Sequence, residues 1–81
     1  MKPELKHDPD ADAAYVLLSE KPYDHGSFLD ENRRLDYAED GTLIGVEFLY
    51  VSEGADVTRV PGHARIAKLL EEHGIRVVAP A

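Results

Sequence analysis

The sequence predicts an α+β fold, a small antiparallel β-sheet of about four strands with one C-terminal helix packed on one of its faces. Three observations carry that expectation. Asp40-Gly41 stands between two apolar-alternating runs, residues 34–37 and 43–50, and Asp-Gly in that setting is a strong short-range hairpin signal. Ile66, Leu69, Leu70 and His73 fall at i, i+3, i+4 and i+7, one face of an α-helix. The chain has 81 residues and no cysteine, so a single domain, 1–81, is expected to build its core without disulfides.

Residues 5–7 read as a short first strand. Pro9 and the aspartates of residues 8–12 then make a turn, because proline presets one backbone dihedral and Asp side chains bond nearby backbone N–H groups. Residues 14–18 are apolar on both faces, which suits a strand covered on both sides or one whose second face meets a partner. A loop holding Pro22 and Gly26 leads to another short strand at 27–29.

For the hairpin, a two-residue loop opposes Tyr37 to Ile44 and Leu35 to Val46 on one face, and Asp36 to Gly45 and Arg34 to Glu47 on the other. A three-residue loop with a bulge at Gly41 opposes Asp36 to Ile44 instead. A one-residue slip exchanges the faces, and the first register sorts apolar from charged residues better. Ile44, Val46, Phe48 and Tyr50 alternate and are expected on the buried face of the longest strand.

Residues 51–60 read as a loop. The helix is expected over 61–74, with Pro61 in its first turn, Gly74 in the left-handed position that ends it, and Ile75 folding back on the last turn. Residues 75–81 form a short strand or tail. The helix should lay Ile66, Leu69 and Leu70 over Leu35, Tyr37, Val46 and Phe48.

Nine Lys and Arg against 16 Asp and Glu give a net charge of −7. That charge repels a polyphosphate, and no cluster of basic residues with interleaved aromatics is present, so nucleic acid is not an expected partner. No apolar run approaches the roughly 20 residues of a membrane span, and none resembles a signal peptide. A cytoplasmic location without membrane contact is the expectation.

Two motifs carry a family resemblance. The first is an Asp-Pro turn entering a Tyr-containing strand that ends in Ser, here Asp8-Pro9-Asp10-Ala11-Asp12-Ala13-Ala14-Tyr15-Val16-Leu17-Leu18-Ser19. The second is an Asp-Gly hairpin entering Gly-x-Glu, here Asp40-Gly41-Thr42-Leu43-Ile44-Gly45-Val46-Glu47. Together they resemble DUF2283, a family of small bacterial and archaeal proteins of unknown function. The resemblance covers residues 5–52, a β-meander core, and implies a small sheet-rich fold with no established activity. Ala14 departs from the pattern, where a larger apolar residue is expected, and the segment from Pro61 onward looks like an extension.

Candidate chemistry is sparse. Asp8, Asp10 and Asp12 have the opening spacing of a calcium loop, but Ala13 stands where such a loop needs Gly and Ser19 where it needs a bidentate Glu. An Asp-stabilised turn explains them better. His7, His25, His63 and His73 are scattered; the last two lie about 15 Å apart on one helix by helical rise, too far for one ion. No metal and no cofactor is expected. Cysteine is absent, and Ser19, Ser27 and Ser52 lack a nucleophile-elbow context.

Glu47 is the most distinctive residue, a carboxylate among Leu43, Leu49 and Val51 with Gly45 leaving space beside it. Such a carboxylate can serve as an acid, a base or a ligand contact; a cross-strand ion pair with Arg34 is the plainer reading. Asp12, Tyr15 and Arg34 are its candidate neighbours in a ligand site. No catalytic group is assigned.

The leading functional expectation is a non-catalytic interaction module forming a homodimer. Leu43, Leu49 and Val51, with Val16 or Leu18 near them, would present an apolar patch on the sheet face that the helix leaves uncovered. A small ligand-binding protein or enzyme centred on Glu47 is the alternative. A third reading is a regulatory partner that binds another protein through its C-terminal tail.

Overall fold

Short runs holding Leu, Val, Ile, Tyr or Phe, broken by turn-forming Asp, Pro and Gly, form strands and no helix over residues 2–49. The computed structural model describes residues 2–78. Five strands, β1 (Glu4–Asp8), β2 (Ala13–Leu17), β3 (His25–Asp30), β4 (Arg33–Tyr37) and β5 (Leu43–Leu49), form one sheet in the order β1-β2-β5-β4-β3. Every neighbouring pair in it is antiparallel. The α+β expectation therefore holds, with five strands in place of four. Residues 5–7 and 27–29 were each the centre of a longer strand. Their flanking polar residues sit on the outer strands of the sheet, where sequence alternation is weakest because little is buried.

A 3₁₀ turn (Val51–Glu53) and a two-residue strand, β6 (Ala55–Asp56), follow. The helix α1 spans His63–Glu72, and β7 (Val77–Val78) closes the fold by pairing parallel with β6. Parallel neighbours need a crossover, and α1 supplies it. The strand expected after the helix is thus paired within the chain; the tail's residues 79–81 lie outside the described residues.

The helix ends as its sequence foretold. Gly74 takes a φ of 78°. Its N–H donates to the Glu71 carbonyl at 3.0 Å, and the Ile75 N–H donates to the Leu70 carbonyl at 3.0 Å. This is a Schellman closure, and it turns Ile75 back into the core at 5% exposure. At the other end Pro61 precedes the helix, and left-handed Gly62 caps it, so Pro61 falls just outside the first turn.

The core lies between the sheet and this second layer. Ala14, Val16, Leu35, Val46 and Phe48 meet Ile66, Leu70 and Ile75 in one cluster, with Leu69 and Tyr37 packed at its margin. Val51, Ala55, Val57 and Val60 belong to the same cluster. The expected loop at 51–60 is therefore a buried strap. Its apolar residues are spaced irregularly, so neither a period of 2 nor one of 3.6 marks them.

The hairpin combines both readings of its register. Ala38 N–H donates to the Thr42 carbonyl at 2.9 Å and Gly41 N–H to the Ala38 carbonyl at 3.0 Å, with Gly41 at a φ of 86°. That is the three-residue loop, and it opposes Tyr37 to Leu43. A bulge then lets Ile44 pass unopposed, after which Asp36 faces Gly45, Leu35 faces Val46 and Arg34 faces Glu47. One inserted residue thereby restores the apolar sorting that the two-residue loop would have produced. Tyr50 is 55% exposed against expectation, because the backbone leaves the strand there with a φ of 56°.

Candidate functional site

α1 and the strap cover one face of the five-stranded sheet. The other is open, and the pleat puts Tyr15, Glu47, Arg34 and Phe28 in one row across β2, β5, β4 and β3. The next row holds Leu17, Gly45, Asp36 and Gly26.

Two of these glycines shape the face. A Cβ on Gly45 would collide with the Tyr15 ring and hydroxyl, and one on Gly26 with the Arg34 guanidinium. Without those carbons, both long side chains lie flat on the sheet and converge on Asp36. Tyr15 Oη donates to Asp36 Oδ2 at 3.0 Å, and Arg34 Nε donates to Asp36 Oδ1 at 3.1 Å. Arg34 Nη2 also donates to the Tyr23 hydroxyl at 2.7 Å. Its guanidinium carbon lies 5.9 Å from the Tyr23 ring centre and 5.7 Å from that of Phe28, within cation–π range of both.

The Tyr15 hydroxyl is pushed up to about 12. Burial is the main cause, followed by its hydrogen bond to Asp36 and the negative charge of Asp36 and Glu47. It is a proton donor that stays protonated. Together the face offers a planar cation held between aromatic rings, a fixed phenol and a nearby carboxylate.

Of the four ligand-site candidates, Tyr15, Arg34 and Glu47 come together and Asp12 does not. Tyr15 and Arg34 are the direct cross-strand neighbours of Glu47. Yet the cross-strand ion pair is not made. Arg34 pairs along its own strand with Asp36, and among the described residues Glu47 has no ion pair. Gly26 leaves the room that this conformation uses, since a Cβ there would meet the Arg34 guanidinium.

Asp12 sits at the end of the sheet with a φ of 53°. Its carboxylate accepts the Ser52 N–H at 2.8 Å and the Ser52 hydroxyl at 2.6 Å, tying the β1–β2 turn to the 3₁₀ turn. Asp8 accepts the N–H groups of Asp10 and Ala11, both at 3.1 Å, as an Asp-stabilised turn requires. No cluster of three His, Asp or Glu able to hold a metal occurs among the described residues.

The interface candidates separate. Val51 is in the core at 4% exposure, Leu43, just before the bulge, packs against the core, and Leu49 is half-buried opposite Ala13. Val16 is fully buried and Leu18 packs against the core. The three residues therefore share no exposed patch, because the inserted Ile44 reverses the facing of Leu43 and the 3₁₀ turn redirects Val51.

Sequence reading placed Asp36 on this face without giving it a role, and it passed over Tyr23 and Phe28. Tyr23 and Phe28 are 53% and 65% exposed, and Asp36 joins Tyr15 to Arg34. The signal for Phe28 was an apolar residue flanked by Gly26-Ser27 and Asp30; Tyr23 lies in a loop and left none.

No helix is long and apolar enough to cross a membrane among the described residues. Comparison with curated proteins and with solved structures returns no match. The profile of a family described as a protein of unknown function, DUF2283, matches residues 5–52, which run from β1 through β5 into the 3₁₀ turn, and the chain belongs to that family.

Proposed function

We propose that the chain is a non-catalytic interaction module that works as a homodimer. The observation that carries this reading is the uncovered sheet face, on which Phe28 and Tyr23 hold large aromatic surfaces in solvent around Arg34. Aromatic residues and Arg are the side chains enriched where proteins meet. A second copy would also add stability by mass action, which matters for a core of this size. Native mass spectrometry at low micromolar concentration tests it. A dimer mass without adduct is expected; a monomer, or a species carrying a stoichiometric ion or small molecule, overturns it.

One observation favours a second reading, a small-ligand site. Glu47 lies between Tyr15 and Arg34 with no ion pair of its own among the described residues. On this reading Glu47→Gln keeps the fold and abolishes binding of a small cationic ligand. A variant that changes only assembly or stability counts against it.

A further inference from the structure

The two edges of the sheet differ. β1 carries Glu4, Lys6, His7 and Asp8, and charged side chains are a common guard against strand-to-strand pairing. β3 carries no charge between His25 and Asp30, only Gly26, Ser27, Phe28 and Leu29, and nothing pairs with its outer side among the described residues.

The ladder tells which of its backbone groups point outward. Leu49 N–H donates to the Asn32 carbonyl at 2.8 Å. Bonded and non-bonded pairs alternate along antiparallel strands, so β4 turns the backbone groups of Arg34 and Asp36 toward β5 and those of Leu35 toward β3. Ser27, opposite Leu35, uses its own groups inside the sheet. Gly26 and Phe28 direct their N–H and C=O groups away from it.

We propose that β3 pairs antiparallel with β3 of a second copy, about a twofold axis through Ser27. In this register each Gly26 faces the second copy's Phe28, and all four N–H and C=O groups of Gly26 and Phe28 in each chain are paired. The faces match as well, because a twofold axis normal to the sheet keeps both open faces on one side. Each Phe28 comes to lie over a residue without a Cβ, where the Arg34 guanidinium fills the space. The most exposed large apolar side chain among the described residues is thereby covered, and each Arg34, already beside Tyr23 and Phe28, gains a third aromatic ring. The two sheets become one of ten strands.

This inference rests on the homodimer reading and names its contact. The test combines sedimentation equilibrium with amide hydrogen exchange on the full chain, at about 0.15 M ionic strength so that repulsion between the acidic copies is screened. The expected result is a dimer in which the Gly26 and Phe28 amides exchange at least about tenfold more slowly than in dilute monomer. Phe28→Glu should give a monomer with an unchanged circular dichroism spectrum. A dimer in which both amides exchange freely, or one that survives Phe28→Glu and is broken by Leu49→Asp, overturns the edge contact and leaves the homodimer in place. A wild-type monomer at every concentration overturns both.

Discussion

Arg33 and Arg34 are consecutive on β4, and the pleat sends them to opposite faces of the sheet. Arg33 enters the closed face at 3% exposure. Its Nε and Nη2 donate to Asp30 Oδ2 at 3.0 and 2.8 Å, and its Nη1 donates to the Asp56 carbonyl at 3.0 Å and to the Thr58 carbonyl. Burying a cation is costly unless its donors are met, and here the strap folds around it to meet them. Arg34 meets one carboxylate, one phenol and two aromatic rings on a surface with no second layer. One arginine holds the fold together; its neighbour is held ready at the surface. The pair shows that facing decides the role of a residue type more than its identity does.

The largest effect should come from the closed face. Phe48→Ala removes a fully buried ring from the centre of the cluster and should cost about 3–5 kcal/mol in denaturant unfolding. A cost below about 1 kcal/mol would mean that the face is not closed.

Arg33→Ala should cost about 2–4 kcal/mol, because the Asp56 and Thr58 carbonyls lose a donor beneath the strap. It should also flatten the acid limb of the stability curve. The side-chain bond from Arg33 holds the Asp30 carboxyl below its usual range. A depressed folded-state pKa contributes stability that is present above the unfolded value and lost as pH falls below about 4. An unchanged acid limb in the variant would assign that slope to other carboxylates.

The smallest change in stability, at most about 1 kcal/mol, is expected for Asp36→Asn on the open face. Its readout is spectroscopic. In an ultraviolet titration Tyr15 should fall from about 12 toward the ordinary 10.0, stopping short because burial remains. With its folded value above its unfolded one, Tyr15 contributes stability that is full below about pH 10 and lost as pH rises through about 12. The wild type should therefore lose stability at that alkaline limb more steeply than the variant. Equal limbs would show that Asp36 does not bear on Tyr15.

Local chemistry made several parts of this protein legible before any fold was known. Asp40-Gly41 marks a hairpin because only a glycine accepts the left-handed dihedral cheaply, and the Ile66–Leu70 spacing with Gly74 marks a helix and its end. The register that sets Arg34 opposite Glu47 followed from sorting apolar from charged residues. Other features depend on residues far apart in the chain. The inserted Ile44 is a compromise between loop geometry and core facing, and no local pattern announces it. Gly26 meets Arg34 and Gly45 meets Tyr15 only because β3 and β2 flank the hairpin.

The sequence by itself determined the fold class, the presence of the Asp40-Gly41 hairpin and the end of the helix at Gly74. Each of these rests on dihedral preference or on hydrophobic period, which act over a few residues. Only the tertiary structure decided that residues 51–60 are a buried strap, that Arg33 is interior while Arg34 is surface, and that Asp36 takes the arginine in place of Glu47. Those outcomes follow from which side chains the sheet order and the second layer bring within bonding distance, and burial has no meaning until both layers are in place.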